Sequence, residues 1–301
     1  EGLRQVAPGT AFDFVDQGWD PRNMDPAKVA EAEKRAKEAD LNIVVAGEYM
    51  MRFRWTDRTD GEDTDRSDLD LVGLQNELIR KVAASGKPTI LILVNGRPLG
   101  VEWAAEHLPA IVETWAPGMY AGQAVAEILY GKVNPSAKLA ITIPRSVGQL
   151  QMIYNHKPSQ YFHPYAVKPS TPLWPFGYGL SYTTYKYDDL KLSAKEVSQN
   201  QNVEVSVKVT NTGQRDGVEI VQLYIRDKYS SVTRPVKELK DFARVALKAG
   251  ESKVVTFTIT PDKLAFYDKK MKWIVEPGEF VVMAGASSAD ESLLKETFIL
   301  K

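Results

Sequence analysis

Hydrophobic and polar positions follow two rhythms along this chain, and the rhythm changes near residue 180. Before about residue 145, short unbroken apolar runs alternate with stretches whose apolar positions recur at helical spacing. Asp25-Pro26 offers an N-cap and a proline at the first helical position. Val29, Ala30, Ala32, Ala36 and Ala39 follow among charged residues, which predicts an amphipathic helix. The run 41–46 (LNIVVA) is continuously apolar, as a strand buried on both faces should be. A helix over 74–84 closes at Gly86-Lys87-Pro88, and 89–94 (TILILV) is the next buried strand. A short helix over 101–106, a strand over 110–114 and a helix over 121–130 follow. This alternation predicts βαβ units and a mostly parallel sheet covered by helices.

Beyond the change the period is two. Residues 203–209 (VEVSVKV) alternate strictly, and Asn211-Thr212-Gly213 reads as a turn. Further strands are expected over 218–225, 253–259 and 279–284, with turns at Ala249-Gly250 and Pro277-Gly278. Several short strands within about 120 residues predict an all-β sandwich. Between the two regions lies a proline- and aromatic-rich stretch, 161–185, read as an ordered connector. The expected division is an α/β domain over 1–160, a connector over 161–181 and a β domain over 182–301. A length of 301 residues suits two cores.

The chemistry concentrates in the loop over 47–71, after the first buried strand. Open α/β sheets bind ligands at the carboxyl ends of their strands, so a long polar loop there is a candidate site. It holds Asp57, Asp60, Glu62, Asp63, Asp65, Asp68 and Asp70, interleaved with Arg52, Arg54, Arg58 and Arg66. Three readings compete. A calcium loop needs acidic ligands at alternate positions before its glycine, and Asp57-Arg58-Thr59-Asp60-Gly61 does not supply them. A solvated, salt-bridged loop is the bland reading. A carboxyl group used as general acid and base is the third. Loop chemistry alone does not choose among them, nor among the carboxylates.

Composition narrows the classes. With 38 basic and 39 acidic residues the chain shows no footprint for nucleic acid or an anionic membrane, and no apolar run is long enough to span a bilayer. The absence of cysteine removes disulfides, thiolate metal sites and cysteine nucleophiles. His107, His156 and His163 lack metal-ligand spacing, so no metal or other cofactor is expected. No glycine-rich phosphate loop follows a strand, which argues against a nucleotide-binding domain. Glu1-Gly2-Leu3-Arg4 reads like the interior of a longer protein.

A series of landmarks resembles one family. Gly47-Glu48, the run from Glu62 to Leu69 (EDTDRSDL), Gln75 and Leu78-Ile79 are similar to the acid/base segment of glycoside hydrolase family 3 β-glucosidases. So are Gly86-Lys87-Pro88, the run from Val94 to Leu99 (VNGRPL), Glu113-Thr114-Trp115, 131–139 (GKVNPSAKL), 144–149 (PRSVGQ) and 175–183 (PFGYGLSYT). The β region adds 209–213 (VTNTG) and 234–242 (RPVKELKDF). Ala137 departs from the family's usual glycine and implies a locally different turn.

The resemblance implies a partial α/β sandwich followed by a fibronectin type III-like β-sandwich. It also implies a bacterial β-glucosidase that hydrolyses terminal β-D-glucosyl residues with retention. The family's glutamate commonly precedes an arginine or aspartate by four positions, so Glu62, with Arg66, is the implied general acid/base. Glu48 is the second choice. The nucleophilic aspartate belongs to an N-terminal (β/α)8 barrel that nothing here resembles. The expected partner is therefore a barrel segment, on the same or a separate chain; a homodimer is compatible with the resemblance. Trp55 is a candidate for stacking on a sugar face, whereas the aromatics over 176–182 are expected to pin the connector. The implied compartment is periplasmic or extracellular. The rival readings are a β-xylosidase of the same family and a non-catalytic scaffolding or carbohydrate-binding module.

Overall fold

The computed structural model describes residues 1–49, 56–159 and 165–301. They form two compact units, 1–132 with 143–151, and 133–142 with 152–301.

The first unit begins with a short helix, α1 (Gly2–Val6), followed by α2 (Pro26–Ala36). The Asp25 carboxylate caps α2 by accepting from the Ala27 amide at 2.8 Å, and Val29 and Ala36 turn inward. Strand β1 (Asn42–Gly47), α3 (Gln75–Ala83), β2 (Thr89–Val94), α4 (Glu102–His107), β3 (Ala110–Glu113) and α5 (Ala121–Leu129) complete the alternation. The strands form a parallel sheet in the order β1-β2-β3, with Asn42 opposite Thr89 and Ile90 opposite Ala110. Leu78, Ile79 and Val82 of α3 are buried, as are Val44, Leu91 and Leu93. The sheet is not covered uniformly. Val45, expected in a strand buried on both faces, is 63% exposed on the edge strand β1.

The second unit is a sandwich of β4 (Tyr185–Leu192), β5 (Glu196–Val197), β6 (Val203–Asn211), β7 (Gly217–Asp227), β8 (Glu238–Leu247) and β9 (Ser252–Ile259), continued after a single turn of helix, α6 (Pro261–Leu264). A small hairpin, β10 (Phe266–Tyr267) and β11 (Trp273–Ile274), precedes β12 (Gly278–Gly285) and β13 (Leu293–Leu300). One sheet runs β4-β6-β9 and the other β5-β13-β12-β7-β8. The strict alternation of β6 places Val203, Val205, Val207 and Val209 in the core, against Val221, Leu223, Phe257, Phe280 and Phe298. Strand β6 buries one face, whereas β7 and β12 are buried on both, one face inside the sandwich and the other beneath Tyr154 and Phe176.

Within this unit, the aromatic stretch is pinned onto the sheet. Phe176 stacks on Tyr154 with ring centroids 4.2 Å apart, and Tyr154 meets the edge of Tyr224. The Gln222 amide donates to the carbonyls of Gly177 and Ala286, while the Tyr224 hydroxyl donates to Gln222 Oε1. Asn211, at the turn read from the sequence, is fully buried and donates to the carbonyls of Arg215 and Leu247. Its side-chain oxygen accepts from Thr183 and from the Gly213 amide.

Candidate active site

Parallel neighbours bring their carboxyl ends to one edge of the sheet, so the loops after β1 and β2 must meet. What they bring together is a buried charge network. Glu48, one residue past β1, has a fully enclosed side chain. Its Oε1 accepts from Arg66 Nη1 at 3.1 Å and lies 3.4 Å from Arg97 Nε. Arg97 follows β2 and also grips Asp60, at 2.9 and 3.1 Å. Burial, with the neighbouring Asp60 charge, outweighs the two guanidiniums and pushes the Glu48 carboxyl up to about 7.

The network organises the acidic loop. Arg97 Nη2 donates to the carbonyl of Thr64 at 2.9 Å and reaches that of Thr59 at 3.4 Å. Arg66 Nη2 donates to Asp68 at 2.8 Å and to the carbonyl of Asp70 at 2.6 Å. Arg66 also holds the Asp68 carboxyl below its usual range. Arg58 donates to the Glu62 carbonyl at 2.7 Å. Thr59 and Tyr49 exchange backbone and side-chain hydrogen bonds, which tie the returning loop to the end of β1. Asp57 pairs with Arg22 at 3.4 Å.

Glu62 stands at the tip. Gly61 has φ +100° and Asp63 has φ +60°, so the chain turns through two left-handed residues on either side of it. The Glu62 side chain is exposed while its carbonyl is held. Asp63, Asp65 and Asp68 line a shallow cleft with Arg22, Arg58 and Arg66.

Of the residues singled out from the sequence, Glu62 and Glu48 belong to one loop system, but at opposite levels of it. Trp55 lies outside the described residues, as do Arg52, Arg54 and His163. His107 stacks on Trp103, with centroids 4.4 Å apart, and His156 bonds the Lys157 carbonyl. Among the described residues no group of three or more histidines, aspartates or glutamates is placed to hold a metal. Sequence reasoning did not single out Arg97 or Asp60 as organisers of the loop. The available signal was topological, since Arg97 follows the strand adjacent to β1.

Behind Arg97 sits a further polar layer. Asn95, fully buried, donates to the Arg97 carbonyl at 2.8 Å and reaches Glu113 at 3.3 Å. Glu113 also accepts from the Trp115 amide at 2.9 Å, and burial raises its carboxyl. Asn95-Gly96 therefore does more than turn the chain, because it fixes the base of the arginine that clamps the loop.

Comparison with known proteins places this geometry. The family model for the glycosyl hydrolase family 3 C-terminal domain matches residues 1–182, and that for a fibronectin type III-like domain matches 219–288. The chain belongs to glycosyl hydrolase family 3. Relatives within the family include a β-xylosidase of Formosa agariphila, 42% identical over 95% of this chain and 39% of its own length. A periplasmic β-glucosidase of Salmonella typhimurium is 41% identical over 90% of this chain and 36% of its own. Among solved structures, a β-glucosidase from Listeria innocua superposes with a TM-score of 0.88 at 32% identity, covering 99% of this chain and 41% of that one. One from Erythrobacter marinus gives 0.85 at 41% identity, over 96% of this chain and 38% of that one. The chain thus spans less than half the length of these relatives. The α/β part with its parallel sheet and the β-sandwich are the two domains the family models describe.

Proposed function

We propose that this chain supplies the general acid/base, Glu62, of a retaining β-glycosidase acting on terminal β-glucosides, together with an N-terminal (β/α)8 barrel that supplies the nucleophilic aspartate. The observation that carries the reading is the contrast between the two glutamates of the loop system. Glu62 is exposed on a tip whose backbone is clamped, whereas Glu48 is enclosed and committed to two arginines. A proton donor must reach a glycosidic oxygen, and the exposure of Glu62 supports it over the enclosed Glu48.

Retention needs two carboxyl groups about 5–5.5 Å apart across the scissile bond. Glu62 in its acid form gives its proton to the departing oxygen as the aspartate bonds to the anomeric carbon. The Glu62 carboxylate then takes a proton from water, which attacks the same carbon and releases the aspartate.

A β-xylosidase is the second reading, because the Formosa β-xylosidase and the Salmonella β-glucosidase are about equally similar to this chain. The periplasm or the exterior is the proposed compartment, in line with the name of the Salmonella relative. No helix among the described residues is long and apolar enough to cross a membrane.

The test is Glu62→Gln in the enzyme assembled with its barrel. Activity on substrates with poor leaving groups should fall about 10²–10⁴-fold. Hydrolysis of 2,4-dinitrophenyl glycosides should be spared in its first step and partly restored by azide. Uniform loss without rescue would assign the role to another carboxylate or to none. A comparison of aryl glucosides with aryl xylosides decides between the two substrate readings.

A further inference from the structure

The geometry points to Glu48 as a positioning residue for Glu62: its buried carboxylate joins Arg66 and Arg97 into one clamp that fixes the loop tip on which Glu62 is presented. This inference rests on the reading of Glu62 given above and deepens it.

Three observations converge on this role. First, Glu48 is anchored to the sheet, since its amide donates to the carbonyl of Val94 at the end of β2, at 2.9 Å. The residue before it is equally fixed, because the Gln75 side chain accepts from the Gly47 amide at 2.7 Å and donates to its carbonyl at 2.9 Å. Second, both arginines converge on the same oxygen, Oε1, so one atom sets the position of two guanidiniums. Third, those guanidiniums grip the loop on both sides of the tip. Arg97 holds Thr59, Asp60 and Thr64, and Arg66 holds Asp68 and Asp70. The segment between these grips is 61–63, with Glu62 at its centre.

A surface ion pair would not set a loop's position, because water competes for both partners. Here the acid is fully enclosed and the arginines are 16% and 21% exposed, so solvent substitutes poorly for any member. Removing Glu48 leaves two guanidiniums without their common acceptor. Each keeps its grip on the loop but loses its tie to the end of β1, so the loop can shift together with the arginines. The other oxygen, Oε2, has no hydrogen-bond partner among the described residues. An amide in place of the carboxylate can keep its oxygen toward the arginines and offer its nitrogen to the neighbouring Asp60 carboxylate.

The experiment compares Glu48→Gln, Glu48→Ala and Arg97→Met in the barrel-containing enzyme, on cellobiose and on 2,4-dinitrophenyl β-glucoside. Misplacing a proton donor should slow only the step that needs the proton. Glu48→Ala is expected to lose about 10–100-fold on cellobiose and under about 3-fold on the dinitrophenyl substrate. Glu48→Gln should stay within about 3-fold on both. Added to Glu62→Gln, Glu48→Ala should cost cellobiose hydrolysis almost nothing more, because the group it positions is already gone. If Glu48→Ala does not fold, as judged by its melting transition, Arg97→Met carries the same leaving-group test from the other side of the clamp. Equal losses on both substrates, or full additivity with Glu62→Gln, overturn the positioning role. If Glu62→Gln itself shows no leaving-group selectivity, the reading of Glu62 fails instead. A Glu48→Gln variant that loses cellobiose hydrolysis and regains dinitrophenyl turnover with azide would make Glu48 the acid itself and overturn both.

Discussion

The Asp60 carboxylate occupies the space that a side chain at position 96 would need: a Cβ on Gly96 would lie 2.0 Å from Asp60 Oδ2. Gly96 is thus required less for the turn it makes than for the close approach of a loop anchored 36 residues earlier. Gly96→Ala should displace Asp60 from Arg97 and loosen the loop. The expected cost is about 1–3 kcal/mol of stability in the first unit, as for other overpacking changes, with a parallel loss of turnover in the proposed barrel-containing enzyme. Denaturant unfolding checks the first and steady-state kinetics the second; an unchanged midpoint would mean that Asp60 has another place to go.

Glu48 predicts a pH dependence. Its carboxyl is raised from an ordinary value of 4.5 to about 7, by burial first and by Asp60 second. Between these values the folded state binds the proton that the unfolded chain releases. This group's contribution to stability therefore improves as pH falls from about 7 toward 4.5, and ionising it above 7 weighs against folding. Glu48→Gln has no proton to exchange. The melting temperature of the variant relative to the parent should rise as pH increases from about 4.5 to about 7 and level off above that. Melting curves at intervals between pH 4.5 and 8.5 measure this, and a constant difference would refute it.

In the second unit, Lys138 is the partner of a buried acid. Glu219 is 2% exposed, its Oε1 lies 3.1 Å from Lys138 Nζ, and it accepts from the Tyr187 hydroxyl at 3.1 Å. Burial raises the Glu219 carboxyl and Lys138 opposes the rise. Lys138→Met should destabilise this unit by about 3–5 kcal/mol at neutral pH, since it leaves the acid without its cation. The deficit should shrink in acid, where Glu219 protonates, and also in the double variant with Glu219→Gln. Chemical denaturation of the single and double variants decides the point.

Asp25 offers a smaller and cleaner test. It caps the helix α2 from an exposed position, so Asp25→Ala should cost about 1 kcal/mol and leave the activity of the proposed barrel-containing enzyme unchanged. Asp25→Asn should recover most of that. A loss of activity without a loss of stability would contradict a purely capping role.

Much of the fold was legible, for identifiable reasons. Strands β1 and β2 announce themselves because strands inside a parallel sheet carry continuous apolar runs. Strand β6 does so because one of its faces is core and the other solvent. Strands β4, β8 and β13 were not read. In β4 the register shifts between Asp188 and Lys191, which breaks the alternation a reader would look for. Strand β8 carries charges at Glu238, Lys240, Asp241 and Arg244, and its Phe242 is 63% exposed, so its pattern does not separate inside from outside. Strand β13 has Lys295 and Glu296 in its middle.

The site divides the same way. Sequence by itself determined that an acidic loop follows a buried strand, and that Glu62 stands four positions before Arg66 within a landmark series of one family. Those are local properties, written in spacing and residue type. Tertiary structure alone decided which charges meet. Arg66 reaches Glu48 across 18 residues and Arg97 reaches Asp60 across 37, separations at which chain order carries no distance information. Parallel pairing of β1 with β2 closes those gaps, and burial turns the resulting ion pairs from solvated contacts into a clamp. Glu62 looked like one carboxylate among seven. The fold separates it from Glu48, because one side chain was left outside the clamp and the other was built into it.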